Sequence, residues 1–484
     1  MQSPLISIIL PVHNTRQDFI EEALNSVLSQ SYTNWQLCIC DDASNPGIHS
    51  ILQSYALSEE RINLSTNLEN KGIAESSNNA LSAAAGEFVA FLDHDDILVA
   101  GALQAVASLI RENPELSVIY TDSDEIDAKG NFNRPFHKPD YDFDLLLAQN
   151  YFNHLTVYRR ALLNQLGGFN AGYDGSQDYE LLLRAIERID DSAIVHIPQV
   201  LYHWRVVETS VSRSNLGLAV RRAREAVREH LARMNLDADV RAPKLDIIYN
   251  RIRWKCTGNN STMLFLIGDG KTANVDTLYF SEKSNLEVVP VNSFSTGKIN
   301  QLIRDRHDIE QVLFLAEGFD FEGSEWLDDL SGQLARKDVG MVGGKLVSHE
   351  KVVAGPVYIS PDGLPSDIAF CGIGEDEPGY FSQLALAHSP AAVHGGFMAA
   401  RRDTLMQLGG VHSGYRGALS VGADTSLGIR SLGYKVIWEP NLIAVEKSVG
   451  ASSSRKFSLE PNDITLFARR WPDSRSQQFQ FPRL

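Results

Sequence analysis

Three aspartates stand close together directly after an apolar, strand-like run. The run Phe88 to Leu92 is followed by the residues Asp93, His94, Asp95 and Asp96. Two carboxylates about 4 Å apart repel by about 4 kcal/mol at an effective dielectric constant of about 20, and they repel phosphate as well. A divalent cation reverses that sign by bridging the oxygens, and Mn²⁺ or Mg²⁺ suits such ligands. The sequence therefore predicts a cation and phosphate site here, although Asp96 could instead cap a following helix.

A second pair of acids, Asp41 and Asp42, follows the short strand-like run Gln36 to Cys40. These acids could simply belong to the turn that continues through Ala43 to Gly47. A carboxylate at this point could also accept a hydrogen bond from the imide N–H of uracil or thymine. We predict that Asp42 reads a nucleotide base, with Asp41 as the alternative.

Asp178 lies in the segment GSQDYE, residues 175–180, at the entrance to a predicted helix over Leu181 to Ile189. It could be a first-turn acid that the helix dipole stabilises. It could also be a general base that takes the proton from an attacking hydroxyl group. We predict that Asp178 is the general base.

His203 and Arg205 follow the apolar run Ala193 to Leu201. A neutral imidazole can ligate a divalent cation, and a guanidinium group can pair with phosphate through two hydrogen bonds. We predict these roles for His203 and Arg205, with a packed, hydrogen-bonded histidine as the alternative for His203. Three other histidines are weaker candidates and stay outside the predicted catalytic set: His94, His137 and His154.

The elements that must position these residues alternate between strand and helix. Leu5 to Val12, Gln36 to Cys40 and Phe88 to Leu92 read as strands, and Ile20 to Gln30 and Glu75 to Ala85 read as helices. This alternation predicts an α/β sheet. Ligands of such sheets bind beyond the carboxyl ends of the strands, which is where the aspartates stand.

Length and composition narrow the class of protein. With 484 residues, the chain is long enough for two domains. A formal net charge of −17 argues against general nucleic-acid binding. No apolar window reaches the roughly 18 residues of a membrane span, no signal peptide is recognisable, and four cysteines make no disulfide framework. We expect a cytoplasmic protein. Peripheral contact with the inner face of the cell membrane is compatible with this location.

An arginine-rich helical segment from Arg213 to Arg233 is the candidate for such membrane contact. Such a segment usually forms the solvent-exposed face of a helix. Alternatively, Arg221, Arg222 and Arg224 could meet anionic lipid or the diphosphate of a lipid-linked molecule.

The chain also contains a diverged internal repeat. Tyr158 to Phe169 (YRRALLNQLGGF) matches Ala400 to Val411 (ARRDTLMQLGGV). A repeat of this size indicates a duplicated domain, since solenoid repeats are much shorter. The predicted organisation is a catalytic domain over residues 1–240, a linker over 241–257 and a second domain over 258–484.

Seven segments together resemble the family-2 inverting glycosyltransferases with a GT-A fold, particularly the two-domain members associated with bacterial O-antigen and other surface polysaccharides. The matching segments are LISIILPVHN from Leu5, CDDAS from Cys40, FLDHDDIL from Phe91, TDSDEID from Thr121, FHKPDYDFDLLLAQNYFNHLTVYRR from Phe136, GSQDYELLLR from Gly175 and LYHWR from Leu201. The resemblance implies a Rossmann-like mixed sheet, followed by a second, degenerate copy of the GT-A type. It also implies metal-dependent transfer of a sugar from a UDP- or dTDP-sugar to a hydroxyl of a growing, lipid-linked glycan.

The resemblance also implies a role for each candidate residue. Asp95 becomes the main metal ligand, Asp93 contacts the nucleotide-sugar, and Asp178 is the catalytic base. Asp42 reads the base, and His203 lies beside the metal or the diphosphate. We also expect nucleotide-sugar contacts from the residues that end the first strand, which are Pro11, His13 and Asn14.

The second copy lacks most of these residues. Aligning Val89 to Leu92 with Val312 to Leu315, and Pro198 with Pro440, places Ala316, Gly318 and Val445 opposite Asp93, Asp95 and His203. Asp424 remains opposite Asp178, no first helix or DD turn follows Met263 to Ile267, and Asp320 could replace a lost ligand. We therefore expect a degenerate structural or acceptor-binding domain.

Three other functions compete with this interpretation. Both copies could be active, or the protein could be a non-catalytic scaffold that binds carbohydrate or nucleotide-sugar. A nucleotidyltransferase would need a glycine-rich, basic loop after the first strand, and the sequence there is PVHN.

Overall fold

The computed structural model describes residues 3–206, 216–243, 249–256, 258, 260–268, 286–292, 295–367, 370–447 and 459–474. These residues form two compact units. The first contains residues 3–141 and 149–236, and the second contains residues 142–148 together with the described residues from 237 onward. The segment 142–148 thus groups with the second unit, although it precedes the predicted boundary by almost a hundred residues.

The first unit is built on a mixed sheet. Its strands are Ile6–Val12 (β1), Trp35–Asp41 (β2), Ile62–Thr66 (β3), Phe88–Phe91 (β4), Ile97–Leu98 (β5), Val118–Ile126 (β6), Phe132–Phe136 (β7), Thr156–Arg159 (β8) and Ile194–Arg205 (β9). The strand order is β3-β2-β1-β4-β8-β6-β9-β5, with β7 paired to β6. The strands from β3 to β4 are parallel, and β8 runs antiparallel between β4 and β6. This arrangement confirms the predicted α/β class.

Helices pack on this sheet through apolar residues at helical spacing. They are Gln17–Leu28 (α1), Pro46–Ser58 (α2), Ile73–Ser82 (α3), Ala102–Glu112 (α4), Arg160–Leu166 (α6), Gln177–Ile186 (α7) and Leu216–Arg233 (α8), while Phe143–Ala148 (α5) belongs to the second unit. In α4, Leu103, Val106 and Ile110 are buried together. Gly101 precedes this helix at its N-cap. The alternative role of Asp96 as a helix cap is therefore wrong, because residues 97–98 form β5 instead.

The second unit contains a sheet of similar build. Its strands are Ala238–Arg241 (β10), Arg251–Trp254 (β11), Thr262–Gly268 (β12), Leu286–Asn292 (β13), Gln311–Ala316 (β14), Phe319–Phe321 (β15), Val339–Ser348 (β16), Lys351–Ala354 (β17), Pro356–Ile359 (β18), Pro365–Ser366 (β19), Ala392–Val393 (β20), Phe397–Arg401 (β21) and Lys435–Glu446 (β22). Its further helices are Thr296–Asp305 (α9), Trp326–Ala335 (α10), Arg402–Leu408 (α11), Ala418–Ser431 (α12) and Pro461–Arg470 (α13). The main sheet has the order β13-β12-β14-β21-β16-β22-β15, with β17 paired to β16.

The two sheets repeat one topology. Each strand of β2-β1-β4-β8-β6-β9-β5 has its counterpart in β13-β12-β14-β21-β16-β22-β15, in the same order. The register agrees as well, because Ile97 pairs with His203 in the first sheet and Asp320 pairs with Val445 in the second. The alignment that placed Val445 opposite His203 is therefore supported by strand pairing.

The predicted linker over residues 241–257 contains strand β11 and the last residue of β10. β11 pairs with β10, and both strands belong to the second unit. The expected lack of a first helix in the second copy concerns residues 269–285, which lie outside the described residues. Among the helices that the structure describes, none has the length and apolar character of a membrane span.

Candidate active site

The loop over residues 93–96 lies at the carboxyl end of β4 and is fixed by the end of β9. Asp96 is buried, and its carboxylate accepts hydrogen bonds from the Tyr202 hydroxyl at 2.6 Å and from the Arg205 backbone N–H at 2.7 Å. The Asp93 backbone N–H donates to the same Tyr202 hydroxyl at 3.2 Å. Burial, together with Asp93 and Asp95, raises the pKa of Asp96 well above its ordinary value. Asp96 thus anchors the loop.

Three carboxylates converge at this loop from two parts of the chain. Burial first, and then the charges of Asp95 and Asp178, raise the pKa of Asp93 to about 7. The side chain of Asp95 is a quarter exposed, and its Oδ1 lies 3.8 Å from Nδ1 of His94. The repulsion expected from the sequence is therefore present in the folded chain, and Asp178 adds to it. A divalent cation between these oxygens would remove it.

One group of side chains in the described part of the chain could hold a metal ion. Its members are Asp93, Asp96 and His154, with one ligand atom from each within 4.8 Å of the others. Burial, and then the charge of Lys138, lowers the pKa of His154 to about 3, so its imidazole is neutral and able to ligate. This group does not contain Asp95 and His203, the ligands predicted from the sequence, and it adds His154, which sequence reasoning had left out.

His203 has one ring nitrogen already engaged by another side chain. Its Nδ1 is hydrogen-bonded to the carboxylate of Asp124, and its ring lies 4.3 Å from that of Phe132. A carboxylate on one nitrogen fixes the orientation of a ligating imidazole and leaves the other nitrogen for a metal. The side chain of His203 alternates with those of Tyr202 and Trp204 along β9, so it points to the opposite face of the sheet. The ligand role of His203 stays a prediction.

Arg205 does not face an open phosphate site. Its side chain is only 2% exposed, its Nε donates to the Asp95 carbonyl oxygen at 2.5 Å, and its terminal nitrogen pairs with Glu22. The guanidinium group also stacks on Phe19 at 4.3 Å. These internal contacts correct the expectation that Arg205 binds diphosphate. The residue holds the backbone of the acidic loop in place instead.

Asp178 lies in the first turn of α7 and points toward the acidic loop. Its Oδ2 accepts hydrogen bonds from Asn150 Nδ2 at 3.0 Å and from Asn153 Nδ2. Burial raises the pKa of Asp178, although these amide hydrogen bonds oppose the shift. Its charge in turn raises the pKa of Asp93. A half-buried carboxylate with a raised pKa beside the predicted donor site has the properties that a general base needs.

Lys138 supports the segment that carries both amides and His154. Its buried ammonium group donates to the carbonyl oxygens of Phe152 at 3.1 Å and His154 at 2.9 Å. Its own backbone N–H donates to Asp122 at 2.9 Å. Burial lowers the pKa of Lys138 well below its ordinary value. Lys138 thus connects the 150–154 segment to strand β6.

We expect Lys138→Met to lower kcat of the reaction catalysed at this site by about 10- to 100-fold, because a displacement of about 1 Å in a catalytic group can cost that much. The KM for the donor should change little, since the predicted base-reading residues lie elsewhere. Steady-state kinetics with Lys129→Met, a variant at an exposed lysine, as the control checks this. Unchanged kcat in the folded Lys138 variant would show that the segment needs no such support.

Asp42 lies at the carboxyl end of β2 and is almost fully buried. Its carboxylate accepts hydrogen bonds from Asn67 Nδ2 at 2.7 Å and from the backbone N–H groups of Lys71 at 2.9 Å and Gly72 at 3.0 Å. Burial acts to raise the pKa of Asp42, but these hydrogen bonds outweigh that effect, and the pKa is lowered. The alternative, Asp41, is bonded to His49 at 2.7 Å. Both acids therefore order the loops around them.

The end of β1 meets the end of β2 beside Asp42. Pro11 pairs with Cys40 in the parallel register, and His13 Nδ1 lies 2.7 Å from the Asp42 carbonyl oxygen. The Asn14 side chain is exposed, and its Oδ1 accepts from the Asn45 backbone N–H at 2.9 Å. The predicted nucleotide residues Pro11, His13 and Asn14 are thus grouped at one edge of the sheet with Asp42.

The counterpart site of the second unit is closed by its own contacts. Asp424 Oδ1 accepts hydrogen bonds from the Tyr415 hydroxyl at 3.0 Å, Arg470 Nε at 2.7 Å and Trp471 Nε1 at 2.9 Å. Asp320 is paired with Lys447 at 2.8 Å. Both Asp424 and Asp320 are therefore paired with groups of the same unit.

Comparison with known proteins identifies the family. A family model described as Glycosyl transferase family 2 matches residues 7–167. The Escherichia coli protein named UDP-Glc:alpha-D-GlcNAc-diphosphoundecaprenol beta-1,3-glucosyltransferase WfgD is 32% identical over 213 residues, which are 44% of this chain and 81% of that protein. The chain therefore belongs to glycosyl transferase family 2.

Two further likenesses concern a longer relative and a solved structure. The O-antigen biosynthesis protein RfbC of Myxococcus xanthus is 31% identical over 475 residues, 88% of this chain and 36% of that protein. The structure of S. aureus TarS 1–349 in complex with UDP-GlcNAc is 21% identical, with a TM-score of 0.40, over 47% of this chain and 66% of that one. The chain spans between 36% and 52% of the length of the two relatives that match most of it.

Proposed function

We propose that the first unit is the catalytic part of a metal-dependent, inverting glycosyltransferase that uses a UDP- or dTDP-sugar. The observation that carries this proposal is the convergence of Asp93, Asp95 and Asp178 beyond the carboxyl end of β4, with the neutral imidazole of His154 beside them. Such a set of carboxylate oxygens and one imidazole nitrogen fits Mn²⁺ or Mg²⁺.

Asp93 and Asp95 would supply the oxygen ligands, and His154 or His203 the nitrogen. When bound, the cation would neutralise the charge on the departing nucleoside diphosphate. Asp96 and Arg205 hold the loop that presents these ligands, and neither needs to touch the substrate. The buried surroundings of Asp93 strengthen the attraction for a cation.

Asp178 performs the proton chemistry. Its carboxylate accepts the proton from the acceptor hydroxyl while that oxygen forms a bond to the anomeric carbon. The bond between the anomeric carbon and the diphosphate oxygen breaks, and its electron pair leaves with the diphosphate. Because the attack comes from the face opposite the leaving group, the anomeric configuration inverts. Asn150 and Asn153 orient the carboxylate for this step.

A screen of the purified protein against nucleotide-sugars tests the proposal. Release of nucleoside diphosphate is measured with Mn²⁺ and with EDTA. We expect release from a UDP- or dTDP-sugar that EDTA abolishes. Binding of UDP or dTDP without any turnover in the presence of acceptor glycans would favour a non-catalytic, nucleotide-sugar-binding scaffold.

We further propose that the acceptor is a lipid-linked bacterial surface glycan and that contact with the membrane is peripheral. The names of the WfgD and RfbC relatives support the acceptor class. Helix α8 exposes Leu216 and Arg221, but Arg222 donates to the Asp174 carbonyl oxygen. The basic surface for a headgroup is therefore smaller than the sequence suggested, and residues 213–215 lie outside the described residues.

The second unit is proposed to be non-catalytic. We expect Asp424→Asn to leave transfer within about twofold of the wild type. Thermal unfolding should shift downward by a few degrees, because the substitution removes the charge that pairs with the half-buried Arg470. Rates and calorimetric melting curves of the whole chain check both outcomes. Loss of most transfer without a change in melting temperature would favour two active copies.

A further inference from the structure

A row of three aromatic rings runs from the acidic loop to the protein surface. Tyr202 and Trp204 alternate with His203 in β9, so their side chains lie on the same face of the sheet. The ring of His154 stacks on Tyr202, with centroids 4.9 Å apart and an interplanar angle of 19°. It also lies over Trp204, at 6.5 Å and 25°. The three rings are therefore nearly parallel.

The inner end of this row belongs to the site already described. The Tyr202 hydroxyl donates to Asp96, and a nitrogen of His154 lies within 4.8 Å of ligand oxygens of Asp93 and Asp96. The outer end is Trp204, whose side chain is 37% exposed. A large aromatic ring left in water beside a polar cleft is a common feature of ligand sites, where it contributes contact area.

The position of the row in the sheet indicates which substrate it would meet. Asp42, Pro11 and His13 lie at the ends of β1 and β2, on one side of β4. Trp204 lies in β9, which follows β8 and β6 on the other side of β4. The ring beside Trp204 is that of His154, whose chain neighbour Asn153 holds the proposed base Asp178. Trp204 therefore lies on the side of the site where the acceptor hydroxyl must enter. A donor that places its base at Asp42 and its diphosphate at Asp93 does not cover Trp204, so the acceptor can contact this ring.

We propose that Trp204, backed by His154, is a stacking platform for a pyranose ring of the acceptor glycan. This inference rests on the proposed function, and it assigns a subsite to the substrate that supplies the attacking hydroxyl. The C–H face of a pyranose is flat and apolar, and it packs well against an indole ring.

The test compares Trp204→Leu, which removes the aromatic ring, with Trp204→Phe, which keeps a smaller one. The probes are p-nitrophenyl glycosides of glucose, galactose and N-acetylglucosamine, added as acceptors to a nucleotide-sugar that the wild type hydrolyses. We expect the leucine variant to need about tenfold more glycoside for half-maximal stimulation, with the phenylalanine variant in between. Nucleoside diphosphate release without acceptor should be unchanged in both variants.

Leu57→Ala serves as the control, since it removes another exposed apolar side chain, at the end of α2. Equal stimulation of wild type and Trp204→Leu would overturn the platform, and so would a wild type that no glycoside stimulates. An equal loss of acceptor-free hydrolysis in Trp204→Leu would also overturn it, because the ring would then act on the donor. A wild type that hydrolyses no nucleotide-sugar contradicts the proposed function itself.

Discussion

Asp178→Asn should lower the rate of sugar transfer by about 10²- to 10⁴-fold, the range that general-base catalysis contributes. The substitution keeps the size of the side chain but removes the site that accepts a proton. Because burial raises the pKa of Asp178, the native carboxylate is a better base than an exposed aspartate, and this advantage is lost. Single-turnover rates at saturating donor and acceptor measure the effect.

Asp190→Asn, at an exposed aspartate just before β9, is the control and should transfer normally. Binding of the nucleoside diphosphate to Asp178→Asn should also persist, because the predicted base-reading residues lie at the ends of β1 and β2. A transfer rate within a few fold of the wild type would mean that another group takes the proton.

Asp95→Ala should lower transfer by the whole protein by about 10³-fold or more, the loss expected when a principal electrostatic partner of the transition state is removed. The alanine removes one carboxylate from a loop where Asp93 and Asp178 remain close together. We therefore also expect the dependence of the rate on Mn²⁺ concentration to shift strongly upward. Initial rates over a Mn²⁺ series measure both effects.

The matched control is Asp320→Ala, which removes the acid nearest in position to the lost ligands of the second copy. It should leave transfer almost unchanged, since Asp320 is paired with Lys447. Substantial transfer surviving in Asp95→Ala, together with a loss in Asp320→Ala, would assign catalysis to the second unit.

The sequence was sufficient for the features that depend on local pattern and on the repeat. The apolar run of β4 followed by acids predicted where a charged loop stands, and this position follows from the sheet alone. The repeat placed Val445 opposite His203, and the matching pairings of Ile97 with His203 and of Asp320 with Val445 support that alignment. The same alignment places Ala316 and Gly318 opposite Asp93 and Asp95, so the sequence already indicated that the second copy lacks these two carboxylates.

The sequence was insufficient where long-range packing decides the direction of a side chain. Arg205 was predicted to face diphosphate, but it pairs with Glu22, from the first helix. Nothing in the local sequence signals that partner. His154 was passed over because contacts with residues distant in the sequence, such as Lys138 and Tyr202, bring its segment to the acidic loop. The LYHWR segment that marked His203 also holds Tyr202, whose anchoring of the loop depends on a hydrogen bond across the fold.

Calorimetric titration of UDP into the protein, with Mn²⁺ and with EDTA, tests the central claim that a divalent cation joins the acidic loop to the diphosphate. We predict at least about tenfold tighter binding with Mn²⁺, and a loss of this difference in Asp95→Ala. Equal affinity of the wild type with Mn²⁺ and with EDTA would contradict the account.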